Sequence, residues 1–278
     1  MAEYDIRKIQ LVELDILKEF DRVCKKNDLT YFLDSGTALG AVRHGGFIPW
    51  DDDIDVGMPR KDYDRFLKIA KDELSSVYFL QTLETDPKCP VLFAKIRRNG
   101  TTYQENNKVG MKMHMGIWID IFPFDYISPN TDEQKAVIQK VLRYKNLFML
   151  KKIPHIYSNT GESKLIHTVR SFIRKCIHVA LQVMPDAYFV DGINKAIFDQ
   201  KNNTENVTCF YYGRPIVWKT KGLLPTETTF FEGSEFSCVK DQDYYLKVQY
   251  GNYMKLPPVE QRQGHRSLYV DYGDIELV

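Results

Sequence analysis

Residues 31–58 read YFLDSGTALGAVRHGGFIPWDDDIDVGM, and four of the last eight are aspartates: Asp51, Asp52, Asp53 and Asp55. Asp53-Ile54-Asp55-Val56 alternates polar with apolar, which predicts a half-buried strand. Residues two apart on a strand point the same way, roughly 6–7 Å apart along the backbone. The Asp53 and Asp55 carboxylates can therefore lean toward one point, where they repel unless a proton or cation neutralises them. A divalent ion that prefers oxygen, such as Mg²⁺, does so naturally. Upstream, the apolar run Tyr31-Phe32-Leu33 predicts a strand. Ser35-Gly36-Thr37 then opens a small-residue helix over Ala38 to Val42. A strand that turns into a helix at glycine offers backbone N–H groups and a positive dipole end to an anion. A phosphate cradle beside a metal-binding carboxylate pair suits phosphoryl transfer. An acidic run can also be a solvated loop. Asp51, Asp53 and Asp55 further mimic positions 1, 3 and 5 of a calcium loop, but that loop needs Gly where Val56 stands.

The flanks carry more candidates. Arg43 could clasp phosphate oxygens, and His44 follows it before Gly45-Gly46. Trp50 suits either the core or the face of a cationic ligand. Lys95 and Arg97 share one face of a strand that begins in the apolar run Val91–Ala94. They read equally as an anion clamp or as a basic strand end. Asp120 sits between Ile119 and Ile121 in the apolar stretch 116–125. A buried carboxylate there must be paired, protonated or metal-bound.

Together LDSGTALGAVRHGGFIPWDDDIDVGMPRKDYDRF resembles the signature of the LicD family of phosphocholine transferases, within the nucleotidyltransferase superfamily. The likeness runs without a gap over about 35 residues. It returns near the end, in Phe231-Glu-Gly233, Tyr245-Leu246, Tyr250–Met254, Pro257-Pro258 and His265. The resemblance implies an α/β (α+β) fold: a nucleotidyltransferase-like mixed central sheet flanked by helices, with a helical insertion. It implies a core over 1–130, an insertion over 131–205 facing acceptor or membrane, and a C-terminal segment over 206–278 completing the core. It makes Asp120 the third carboxylate, so that Asp53, Asp55 and Asp120 hold one or two Mg²⁺ ions, or Mn²⁺. It supports Lys95, Arg97 and Arg43 in catalysis, and Ser35, Gly36, Thr37, His44, Trp50, Asp52, Arg262 and His265 in substrate binding. The donor it implies is CDP-choline, and the acceptor a lipid-linked cell-wall or teichoic-acid glycan. An ordinary nucleotidyltransferase and a non-catalytic sugar- or calcium-binding module stay as alternatives.

The rest of the chain bounds these readings. With 278 residues and a formal net charge of +1, it can bury a sizeable core and lacks the basic excess of a general nucleic-acid binder. Five scattered cysteines without a Cys-x-x-Cys pair predict free thiols in a reducing cytosol. The charged N-terminus lacks a signal peptide's apolar core, and no apolar run spans a bilayer. Those features predict a cytoplasmic protein, placed at the inner face of the plasma membrane if its acceptor is lipid-linked. Helical periodicity predicts helices over 3–26, 60–74, 130–150, 163–184 and 188–200, with Thr131 and Gln134 as a capping box on the third. The 163–184 helix carries Lys164, Arg170, Arg174 and Lys175 and no acid. It reads as a packed helix with a basic outer face, or as one that contacts anionic lipid.

Overall fold

The computed structural model describes residues 5–105, 108–154, 163–200, 204–264 and 267–275. Its centre is a seven-stranded sheet. Along its main path the strands are ordered β1 (Phe32–Leu33), β2 (Asp55–Pro59), β6 (Trp118–Ile127), β4 (Ala94–Arg98) and β3 (Tyr78–Gln81). Only β2 and β6 run parallel; the other neighbours are antiparallel, so the sheet is mixed. The far end of β6 pairs with β7 (Asn206–Thr208), which pairs with β8 (Val217–Lys219). Two separate ribbons join β5 (Thr102–Glu105) to β11 (Ser267–Asp271), and β9 (Glu227–Phe231) to β10 (Ser234–Cys238).

Helix α1 (Ile6–Lys26) covers the sheet because its apolar residues recur at helical spacing: Ile9, Val12, Ile16, Phe20 and Val23 are all buried. Asp5 caps its start, accepting from the Arg7 and Lys8 N–H groups. Helix α3 (Arg60–Glu73) turns Tyr63, Phe66 and Ala70 inward. Pro59 ends β2 and serves as the N-cap of α3, where its missing N–H costs nothing. Helix α2 (Ser35–His44) follows β1 directly and stops at Gly45, whose φ of +71° suits the left-handed cap.

Helices α4 (Thr131–Lys152), α5 (Lys164–Leu181) and α6 (Asp186–Phe198) follow β6, and β7 then returns the chain to the sheet. Val141 on α4 shares a small core with Ile193 and Ala196 on α6. The cap of α4 differs from the expected Thr131–Gln134 box. Asn130 takes the N-cap and accepts from the Asp132 and Glu133 N–H groups, while Gln134 donates to the Ser128 carbonyl. A short amide at that position reaches both orphan N–H groups, which leaves Thr131 inside the helix. The β9–β10 hairpin turns at Glu232-Gly233, both with positive φ, as a twisted two-residue turn requires. Helix α7 (Thr220–Leu223) packs on helix α8 (Gln242–Tyr250), which has Tyr245 and Leu246 fully buried.

Candidate active site

The register of three strands builds the centre of the site. Asp55 on β2 pairs with Asp120 on β6, and Asp120 pairs with Lys95 on β4. Directly paired residues share a sheet face, so these side chains form one row across the sheet. Gln81 on β3 pairs with Lys95 at one end of it. At the other, just past β1, Asp34 donates its N–H to the Asp55 carbonyl at 3.0 Å. Parallel pairing of β2 with β6 is what brings residue 120 beside residue 55.

Crowding sets the electrostatics of the row. Burial pushes Asp55 well above the usual carboxylate range, and Asp53, Asp120, Asp34 and Asp51 push it further. Lys95 meets Asp120 in a buried ion pair, its ammonium 4.5 Å from the centre of the Trp118 ring. Asp53 lies half-buried in the extended stretch before β2, which begins at Asp55 rather than at Asp53. The Ile54 carbonyl between Asp53 and Asp55 accepts from the Asp120 N–H at 2.8 Å, so the ladder reaches back past Asp55, and the register sets Asp55 and Asp120 side by side.

The Ser35-Gly36-Thr37 turn is the first turn of α2. Thr37 Oγ1 accepts from the Asp55 N–H at 2.9 Å and ties that turn to β2. A Cβ on Gly36 would come within 2.6 Å of Asp51 Oδ2, so only glycine lets this carboxylate lie against the helix start. The chain's own Asp51 carboxyl thus lies against the turn where a bound anion was expected. Ser35 Oγ accepts from Gln249 on α8 at 3.1 Å.

Beside Asp55 opens a cavity of about 410 Å³. Phe93, Phe122, Tyr211, Tyr212 and Tyr250 line it, with Ser35, Gln249 and Arg214. Phe122 stands two residues after Asp120 on β6, so strand alternation puts the ring on the same face as the row. A second group lies near Asp51: the Arg262 guanidinium sits 5.2 Å from the Trp50 ring centre, and His44 approaches that ring edge-on at 6.3 Å. Arg43 joins it, donating to the Tyr253 carbonyl at 2.8 Å. Burial, then the neighbouring Arg43, holds His44 below the usual imidazole range.

Other expected residues stand further back. Arg97 is fully buried, donating to Gln81 Oε1 and to the Gly116 carbonyl, with its guanidinium 5.0 Å from the Trp118 ring centre. Asp52 is buried and accepts from the Tyr103 hydroxyl at 2.6 Å. Trp118 is buried under Lys95 and Arg97. His265 lies outside the described residues.

Sequence reasoning missed three features. Asp34 is fully buried and accepts from the Tyr212 and Tyr245 hydroxyls and the Ser35 N–H. Burial pushes its carboxyl up to about 6 against those bonds. The signal was present, since Asp34 ends an apolar strand much as Asp120 interrupts one. Glu13 occupies an inward position of α1 and is 1% exposed, with Oε2 lacking a hydrogen-bond partner. Burial and then Asp53, Asp52, Asp51 and Asp120 push its carboxyl well up. Its place four residues after Ile9, on the apolar arc, marked it. The tyrosines of the cavity wall, Tyr211, Tyr212 and Tyr250, gave no such signal, because they come from two segments far apart in the chain.

Among the described residues, no three His, Cys, Asp or Glu side chains stand together in a metal-binding group. The donor chemistry nonetheless fits a hard divalent cation. The candidate ligands are all carboxylates, Asp55 is raised by burial and then by its neighbours' repulsion, and Glu13 keeps a buried oxygen without a partner among the described residues.

Residues 28–157 match the family model described as LicD/FKTN/FKRP, nucleotidyltransferase domain. The lipopolysaccharide cholinephosphotransferase LicD of Haemophilus influenzae is 28% identical over 270 residues, covering 95% of this chain and 97% of that protein. The ribitol 5-phosphate transferase FKRP of Mus musculus is 31% identical over 88 residues, 32% of this chain and 16% of that one. An uncharacterised protein of Rickettsia typhi is 44% identical over 54 residues, 19% of this chain and 18% of its own.

Proposed function

We propose, from the premise that this chain belongs to the LicD family and is a phosphotransferase, that it carries phosphocholine from CDP-choline to a glycan hydroxyl and releases CMP. The observation that carries this reading is the pairing of Asp55 with Asp120 at the edge of an aromatic-walled cavity. A carboxylate pair suits phosphoryl chemistry, and aromatic faces attract a quaternary ammonium. Phe93, Phe122, Tyr211, Tyr212 and Tyr250 would surround the choline head, with Ser35 and Gln249 on the side of the phosphate.

Asp53, Asp55 and Asp120 would hold Mg²⁺, which supplies Lewis-acid polarisation of the donor phosphate when bound. Asp120 takes the proton of the acceptor hydroxyl as that oxygen bonds to the phosphorus of phosphocholine, and Lys95 fixes the direction of the carboxylate. The phosphorus–oxygen bond to CMP breaks, and CMP leaves with the bonding pair. Arg43 and Arg262 face the negative charge of the donor, while Arg97 acts as a positioning residue through Gln81 and Trp118. Lipid-linked glycans, including teichoic-acid precursors, are the proposed acceptors.

The test is to incubate the protein with CDP-choline and Mg²⁺, with and without candidate glycans, and to weigh the product. Acceptor-dependent CMP release with a product heavier by phosphocholine supports the reading. A product heavier by CMP makes the chain a nucleotidyltransferase instead. Release that persists in Asp55→Asn removes the site from the reaction.

A further inference from the structure

Helix α5 is built inside out. Arg174 donates to the Ile153 and Met149 carbonyls of the α4 C-terminus, and His178 approaches the Leu150 carbonyl. Gln182, just past α5, donates to the Lys151 carbonyl. The polar side of the helix is thus spent on the last carbonyls of its neighbour, and α5 has no buried residue. The apolar side faces out: Leu165 is 76% exposed, Phe172 68%, Val179 60% and Val183, beyond its end, 86%. Positions 165, 169, 172, 176, 179 and 183 stack on one face at helical spacing, and Ile166 and Ile173 widen it.

Charge selects what covers this face. From Ser163 through Pro185 there is no acid, while Lys164, Arg170, Arg174 and Lys175 are cationic. Lys164 and Lys175 fall together along one edge of the apolar arc, where long side chains keep their ammonium in water as the stem follows the apolar surface. Two such helices brought face to face would set like charges together. A negatively charged lipid surface meets both features at once. Among the described residues no helix is long and apolar enough to cross a membrane, so a helix of this kind lies along the surface.

We infer that α5 docks the protein on anionic lipid, its apolar face in the headgroup–acyl boundary and its lysines against the lipid phosphates. The inference stands apart from the reading of the active site. The full chain is to be sedimented with vesicles of phosphatidylcholine alone or mixed with phosphatidylglycerol. Binding is expected to the mixed vesicles only and to fall as salt rises. Phe172→Glu should weaken it at least about tenfold, and Lys164→Gln with Lys175→Gln about tenfold. Phe172→Trp should show a blue-shifted emission on the mixed vesicles, a readout independent of any loss of fold. Equal sedimentation of all variants, or an unchanged emission, overturns the proposal. So does a dimer in sedimentation velocity that Phe172→Glu abolishes without any vesicle binding, which would make the face a contact between copies.

Discussion

On the sheet, carboxylates are carried inward: Asp34, Asp120 and Glu13 lie buried among apolar side chains, with Asp55 beside them. On α5 the reverse holds, and Leu165, Phe172 and Val179 are carried outward. Each arrangement costs free energy on its own, the first through desolvation and repulsion, the second through apolar surface left in water. Chains break local rules of this kind mostly where a partner compensates them. On the two proposals above, the compensating partner would be compact and positive for the sheet face, and extended and negative with an apolar interior for the helix.

The comparison breaks most sharply at Asp55. If repulsion in the row serves catalysis, Asp55→Asn should lower turnover about 10³-fold or more, about 4 kcal/mol in barrier. The same change removes one of the repelling charges, so the thermal midpoint should hold or rise. A variant that unfolds more easily yet still turns over would make Asp55 structural. Next in size is Asp125, buried on β6 and gripped by Arg60 through two hydrogen bonds of 2.7 and 2.8 Å. Asp125→Ala should cost about 3 kcal/mol of stability in urea titration, reduced from the range for fully buried pairs because Arg60 is 30% exposed. An undiminished stability would show that this charge, like that of Asp55, is carried without a structural role.

The two regions also differ in how far the sequence revealed them. Helices follow from periodicity and from local chemistry, so α3 and α5 fall close to their expected places. Asp55 and Asp120 were readable because an acid inside an apolar strand is rare enough to stand out. That they pair is a matter of strand order, which no local pattern encodes. The cavity wall was not readable for the same reason: Phe93, Phe122, Tyr211 and Tyr250 meet only once the chain has returned to the sheet after α6. On α5 the charge pattern was plain, but the side facing α4 was not. An arginine that looks like a solvated cation turns out to cap the carbonyls of another helix.

Asp34 gives an effect of similar size that separates burial from function. Its folded carboxyl stands at about 6, against 3.8 ordinarily, so the folded state holds a proton that the unfolded state releases in between. Stability from this group is complete below the ordinary value and falls as pH rises toward 6, then levels off. At 1.36 kcal/mol per pH unit the loss is about 3 kcal/mol. Asp34→Asn should flatten the urea midpoint across that window and leave the variant more stable at neutral pH. Some of that gain is offset where the amide accepts from only one of the two tyrosines. A slope that survives in the variant would assign the titration to another buried acid, Glu13 first.

The smallest effect is the most discriminating for α5. Phe148 on α4 is fully buried and Phe172 on α5 is 68% exposed, so the same substitution probes the inside and the outside of one helical group. Phe148→Ala should cost about 3–5 kcal/mol, the usual loss for a core phenylalanine. Phe172→Ala should change stability by no more than about 0.5 kcal/mol in dilute buffer, because water already surrounds the ring and alanine favours the helix. Adding anionic vesicles should reverse the order of interest. A surface that takes up the phenyl ring stabilises the wild type and not the variant, by mass action on the folded state. Should Phe172→Ala cost as much as Phe148→Ala in buffer alone, the ring is covered by the protein itself, and the outward face of α5 has no need of lipid.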